Sequence, residues 1–206
     1  MSFEVDVSRR LGERALKFNF QAGSGLTVLF GPSGSGKTSI LNMVAGLLTP
    51  DRGRIAVTGS TLFDSAAKID VAPDRRAIGY VFQDERLFPH MRVRNNLLYG
   101  LKLVPASRRW MAYDEAVEFL GIGHLADRWP GSLSGGEKQR VAVGRALLAG
   151  ARVLLMDEPM ASLDQPRREE IMQVIERVRD TLKLPILYVT HDRDEARRLG
   201  SQTIAL

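Results

Sequence analysis

Phe3, Val5 and Val7 alternate with Glu4, Asp6 and Ser8, the period-two pattern of a strand with one buried face. Lys17 to Phe20 repeats the alternation, so a small antiparallel sheet is expected at the N-terminal end. Leu26 to Phe30 is a continuous apolar run bounded by glycines, which predicts a strand buried on both faces. After a glycine-rich turn, Ile40, Leu41, Val44, Leu47 and Leu48 recur at helical spacing, with Pro50 and Gly53 expected to stop that helix. Ile55 to Thr58 and Ile78 to Phe82 predict further strands.

Between about Asp84 and Gly131 charges are denser, and Pro89, Pro105 and Pro130 punctuate short helical patterns such as Ala116, Val117 and Leu120. This stretch reads as an inserted helical subdomain that rejoins the core through a helix from Gly136 to Ala149. Two strand–helix units follow: Val153 to Met156 with a helix carrying Ile171, Ile175, Val178 and Leu182, then Ile186 to Val189 with a helix from about Asp192. Thr203 to Leu206 is one more apolar strand. Strands alternating with helices imply an α/β fold whose parallel sheet is covered on both faces. The expected organisation is one domain over residues 1–206, with 1–83 and 150–206 as the core and about 84–149 as the helical subdomain.

The 206 residues are 44% hydrophobic and 26% charged, enough apolar side chains for a core, which excludes disordered and collagen-like chains. The absence of cysteine excludes disulfides, thiolate metal sites and a cysteine nucleophile. Lys plus Arg exceeds Asp plus Glu by 29 − 24 = +5, which suits phosphate-bearing ligands or an anionic membrane surface, although on charge alone a solvated basic face is the favoured explanation. The apolar runs fall far short of the roughly 20 residues that span a bilayer. The N-terminus has no basic region followed by an apolar one, so no signal peptide is expected.

Gly31-Pro32-Ser33-Gly34-Ser35-Gly36-Lys37-Thr38 fits the Walker A pattern and lies between a predicted strand and a predicted helix. Its glycines let successive backbone N–H groups point at phosphate oxygens, and the helix N-terminus adds its positive end. Lys37 is expected on the β and γ phosphates and the Thr38 hydroxyl on Mg²⁺. Val153 to Glu158 is an apolar strand ending in two acids, at the sheet edge where open parallel sheets bind ligands. Asp157 would hold Mg²⁺, directly or through water, and Glu158 would act as general base on the attacking water. Alternatively both acids merely cap the turn that Pro159 begins. His191, after the strand Ile186 to Val189, reaches the same edge and could position that water. Gln83 ends the strand Ile78 to Phe82; its amide could touch Mg²⁺ or the water while its backbone acts as a hinge. His90 and His124 have no such context.

Leu133-Ser134-Gly135-Gly136-Glu137-Lys138-Gln139-Arg140 is similar to the signature sequence of the ATPase subunits of ABC transporters, and with the two Walker segments the chain resembles that family over nearly its whole length. The resemblance implies a P-loop NTPase fold with a mainly parallel core sheet, an N-terminal antiparallel β subdomain and an inserted helical subdomain. It implies ATP and Mg²⁺ as cofactors. It also implies a homodimer in which Ser134, Gly135, Gly136 and Glu137 meet the partner's nucleotide, the glycine amides and Ser134 being free to bind phosphate. Ser162-Leu163-Asp164 looks like the family's D-loop, which crosses that interface. A membrane permease would dock near residues 83–100, on the cytoplasmic face of the inner membrane, with a periplasmic oxyanion-binding protein in the same system.

The stretches Glu85 to Gly100 and Asp127 to Ser132 are similar to the corresponding segments of molybdate importer ATPases within this family. Sulfate or another oxyanion stays open as cargo. A soluble ABC-type ATPase acting on nucleic acid is disfavoured by the single cassette, the short insertion and the lack of an aromatic-interleaved basic stripe, so no nucleic-acid partner is expected. A non-catalytic module is disfavoured because Lys37 and Glu158 are present. Two departures stand out. The family's aromatic that stacks on adenine is missing from Ser8 to Gly12, which leaves Leu11 or the Arg10 stem to pack the base. The C-terminal oxyanion-binding regulatory domain is also expected to be absent, and with it regulation by bound oxyanion.

Overall fold

Strand parity sets the layers. In the computed structural model, which describes residues 1–206, ten strands form two five-stranded sheets. The first is antiparallel, order β2-β1-β4-β5-β6, with β1 Phe3–Leu11, β2 Arg14–Ala22, β4 Arg52–Val57, β5 Ser60–Asp64 and β6 Ile69–Asp70. The second is wholly parallel, order β10-β3-β9-β8-β7, with β3 Leu26–Phe30, β7 Ile78–Val81, β8 Val153–Asp157, β9 Ile186–Thr190 and β10 Gln202–Ala205. Successive side chains on a strand point to opposite faces. Leu29, Val153, Leu155, Leu187 and Val189 accordingly face the antiparallel sheet and helix α1 (Lys37–Ala45) in one apolar cluster. Val28, Leu154, Met156, Ile186 and Tyr188 face the other way, into a second cluster with the remaining helices.

Those helices are α2 (Val93–Leu103), α3 (Tyr113–Leu120), α4 (Gly135–Leu148), α5 (Gln165–Arg177, continued by a π turn over Val178–Leu182) and α6 (Arg193–Leu199). Val93, Leu97 and Leu120 of the helical insertion belong to the same apolar cluster as Leu154 and Ile186 of the sheet, so α4 is the shared wall of both parts. Gly144 lets α4 approach closely: a Cβ there would lie 2.9 Å from both Leu120 and Leu97. No helix is long and apolar enough to cross a membrane.

Several boundaries differ from expectation. Helix α1 ends at Gly46, not at Pro50 or Gly53, because Gly46 takes the left-handed conformation (φ 81°) that closes a helix. The buried Arg76 guanidinium then satisfies the orphan carbonyls of Met43 and Val44, both at 2.9 Å. Gly53 instead lies inside β4 at φ 113°, where a Cβ would fall 2.0 Å from the Asp6 carbonyl of β1. The strand over Lys17 to Phe20 extends to nine residues because its hairpin pairs β1 along its full length. The short strands β5 and β6, the second of them at the sheet edge, were not foreseen.

Candidate nucleotide site

The carboxyl ends of β3, β9, β8 and β7, adjacent in that order, carry Gly31, His191, Asp157 with Glu158, and Gln83 respectively. Parallel strands align their carboxyl ends at one edge, and this brings residues up to 160 positions apart into one place. Loop 31–36 leaves β3 and enters α1 through Gly36, at φ 99°, with no side chain capping the helix and no acid in its first turn. The four free N–H groups and the positive end of the dipole therefore remain available. Lys37, with 4% of its side chain exposed, folds back over the loop. Its Nζ donates to the Gly31 and Pro32 carbonyls at 2.8 and 2.9 Å and lies 3.7 Å from Glu158 Oε1. Ser35 Oγ is buried in the same loop with no hydrogen-bond partner. The Lys37 cation and the uncapped amides that open α1 fit a polyphosphate.

Asp157 is buried, and its Oδ1 accepts from the Thr38 hydroxyl at 3.0 Å. Burial pushes its carboxyl above the usual range. One carboxylate and one hydroxyl are the sparse protein donor set that Mg²⁺ takes when phosphates and waters complete its shell, so these residues fit the metal. Glu158 stands at φ 43°, a left-handed conformation costly for a residue with a Cβ, held by its N–H donating to the Val189 carbonyl at 3.0 Å. That turn brings Glu158 Oε2 to 2.9 Å from His191 Nδ1. An ionised carboxylate only accepts, so Nδ1 carries the proton and Nε2 is left facing outward. Gln83 is exposed on the rim of a cleft of about 430 Å³ whose walls include Lys37, Thr38 and Glu158.

The far wall of this cleft is Leu11, Arg14 and Leu16 from the β1–β2 hairpin. Leu11 is where it was expected, but Arg10 is not part of the wall; its backbone N–H is turned to Asp51 at 2.8 Å. Arg14 takes its place, its guanidinium anchored on the Gly34 carbonyl at 2.8 Å.

The signature segment lies on α4, and none of Ser134, Gly135, Gly136 or Glu137 lines the cleft. Ser134 is its N-cap, and its own backbone N–H is engaged while the expected glycine amides stay free. Glu137 Oε2 accepts the Ser134 N–H at 2.7 Å while Ser134 Oγ accepts the Glu137 N–H at 3.3 Å, a closed capping box. Only the Gly135 and Gly136 amides are left to an anion. The Ser134 hydrogen bond holds the Glu137 carboxyl below its usual range. Asp164 is likewise engaged within its own chain as the N-cap of α5, accepting from Arg167 N at 3.2 Å, and does not reach the cleft. His90 and His124 lie outside the cleft, His124 being 3.9 Å from Glu137.

Three groups at this edge escaped the sequence. The Tyr80 phenol lies 3.4 Å from Asp157 Oδ2 and 3.2 Å from Asn42 Oδ1, and burial keeps it protonated far above the ordinary tyrosine value. Arg168 bridges the Leu163 carbonyl (3.0 Å) and Asp192 (3.3 Å), joining the segment before Asp164 to the residue after His191. Behind them Tyr188 donates to the buried Glu195 at 2.7 Å. Only the spacing of Asp192 and Glu195, an N-cap pattern, gave a local signal for any of these.

Residues 14–161 match the family model described as ABC transporter. The chain is 53% identical over 203 residues to the molybdenum import ATP-binding protein ModC of Rhodospirillum rubrum and 54% identical over 206 residues to that of Mesorhizobium japonicum. It is covered to 98% and 100% by these alignments but spans only 55% and 56% of those relatives' length. Among solved structures, the dimeric post-hydrolysis state of the ATP-binding cassette MJ0796 bound to ADP and Pi superposes with a TM-score of 0.78 at 27% identity, covering 100% of this chain and 94% of that one. The cbiO1 component of the cbiONQ complex of Clostridium perfringens gives 0.80 at 27% identity, covering 98% and 83%. A match over most of the chain, with the site's geometry behind it, establishes that the chain belongs to the ABC transporter family.

Proposed function

We propose that this chain is the ATP-hydrolysing subunit of an importer, coupling Mg·ATP binding and hydrolysis to uptake of an oxyanion, molybdate in first place. The observation that carries the reading is that Lys37, Thr38 and Glu158 line one cleft, with Asp157 hydrogen-bonded to Thr38 and His191 to Glu158 at the adjacent strand ends. The molybdate assignment is supported by the likeness to the two molybdenum import proteins.

Loop 31–36 binds the phosphates through its amides, and Lys37 turns from the loop carbonyls to the β and γ oxygens. Thr38 and Asp157, with Gln83 beside them, would hold Mg²⁺, which would supply positive charge to the phosphate oxygens. Glu158 accepts a proton from water as the water oxygen attacks the γ-phosphorus; the bond to the β–γ bridging oxygen breaks, and ADP and phosphate leave. His191, tied to Glu158 through Nδ1, holds that carboxylate in position and presents Nε2 to the transferred phosphoryl group. The base packs on Leu11 and Leu16, with the Arg14 guanidinium in place of an aromatic ring.

Two copies closing head to tail place the Ser134–Glu137 turn and Asp164 of one against the nucleotide of the other. The permease docks near residues 83–100, at the cytoplasmic face of the inner membrane, and a periplasmic oxyanion-binding protein delivers the cargo. Glu158→Gln should bind ATP normally while hydrolysing it 10²- to 10⁴-fold more slowly, the usual worth of a general base. An active Glu158→Gln variant would contradict the mechanism. Transport of molybdate against sulfate by the reconstituted complex tests the cargo.

A further inference from the structure

Tyr80 lies on β7 opposite Leu155 of β8, so its phenol reaches forward along the sheet edge to Asp157. It lines, with Asp157, a cavity of about 720 Å³ that shares Thr38 and Gln83 with the cleft holding Lys37. Asp157 Oδ1 accepts from the Thr38 hydroxyl at 3.0 Å, while Oδ2 lies 3.4 Å from the Tyr80 hydroxyl, whose single proton is shared between this oxygen and Asn42 Oδ1 at 3.2 Å. Thr38 is committed to the metal in the reading above. Tyr80 has no place in that chemistry, yet it is the second fixed point of the carboxylate plane.

The ring continues the connection. Tyr80 and Phe82 share a face of the strand and stack with centroids 4.0 Å apart and planes 14° from parallel. The Arg86 guanidinium covers Phe82 at 4.1 Å. Glu85 and Arg86 both stand at positive φ, 51° and 47°, and their carbonyls accept from Arg145 of α4 at 3.0 and 2.7 Å. The stack therefore starts at the carboxylate and ends clamped to the helix that Ser134 opens, with Gln83 between its rings and its clamp.

We propose that Tyr80 is a positioning residue: its hydroxyl orients Asp157 for Mg²⁺, and its stack on Phe82 makes that orientation depend on the Gln83 loop and α4. The proposal rests on the nucleotide reading above. Support around a metal ligand shows as lost metal affinity with nucleotide affinity otherwise intact. A phenol that only filled space would be replaced by phenylalanine without consequence.

The test is ATP binding by calorimetry, in EDTA and across a Mg²⁺ titration, for the whole chain and its variants. Tyr80→Phe, which keeps the ring and the stack, should bind ATP in EDTA within twofold of wild type. The Mg²⁺ concentration that half-maximally tightens ATP binding should rise threefold to tenfold, the range for one lost hydrogen bond. Phe82→Leu, which keeps the hydroxyl but loses the stack, should raise it by about twofold to threefold on the same scale. The double variant should then be no worse than Tyr80→Phe alone, since the stack acts through the hydroxyl. An unchanged Mg²⁺ requirement in Tyr80→Phe overturns the proposal, as does an equal loss of affinity in EDTA. An additive double variant overturns the coupling through the stack. Wild-type protein that fails to bind ATP in any condition refutes instead the nucleotide reading on which the proposal stands.

Discussion

In the proposed mechanism two helix N-termini of this chain meet phosphate, and they are built in opposite ways. Helix α1 starts at a glycine with no side-chain cap and no acid in its first turn, so its amides face outward unopposed. Helix α4 starts at a serine whose amide is closed by the carboxylate of its own third residue. Both satisfy the rule that the first N–H groups of a helix need partners. The first leaves that need to a ligand, whereas the second meets it internally and offers only Gly135, Gly136 and the Ser134 hydroxyl proton. The lesson is that a phosphate-binding sequence is not one kind of site. In the proposed mechanism the α1 end binds phosphate by itself, whereas the α4 end holds an internal anion beside the incoming one and adds little until a second copy brings the phosphate to it.

The largest effect that would break this contrast comes from Gly36→Ala. At φ 99° any Cβ is strained, and it would lie 2.9 Å from Phe18 and 3.2 Å from Leu16. ATP affinity should fall at least tenfold, with stability lost by about 1–3 kcal/mol; calorimetry and urea unfolding read the two separately. Ser134→Ala removes the cap acceptor of α4 and should cost about 0.5–2 kcal/mol of stability in urea. ATP binding to the single chain should remain within twofold, because Ser134 does not line the cleft. Glu137→Gln sharpens the comparison most finely, since glutamine keeps the capping geometry without the charge. Glu137 titrates below its ordinary 4.5 in the folded chain. Its contribution to stability is therefore present above that value and is lost as pH falls through the lowered folded one. Thermal midpoints should converge for wild type and Glu137→Gln as the pH falls through the lowered folded value of Glu137, and differ by at most about a few degrees at pH 7.

Much of this was legible along the chain because it is written locally. The apolar runs at Leu26 to Phe30, Val153 to Met156 and Ile186 to Val189 announce strands buried on both faces, and the parallel sheet follows from their alternation with helices. The glycine spacing of residues 31–38 and the acids after Met156 mark the sheet edge. What stayed hidden depends on contacts between distant segments. Nothing near Tyr80 announces a carboxylate 77 positions away. Arg76 caps a helix that ended 31 residues earlier, for which Gly46 was the local sign. The internal closure at Ser134 was readable, since serine followed three residues later by glutamate is a capping box, but the resemblance to a phosphate-binding signature pointed toward open amides.

The account's centre is that Lys37 and Ser134 serve one nucleotide only across two copies of the chain. Mixing Lys37→Ala with Ser134→Ala, each also carrying Glu158→Gln to prevent turnover, tests it by sedimentation with and without ATP. A mixed pair has one intact composite site, formed by the Lys37 of one copy and the Ser134 of the other, so the mixture should associate on ATP while neither variant alone does. A mixture that behaves as the sum of its two components would contradict the account.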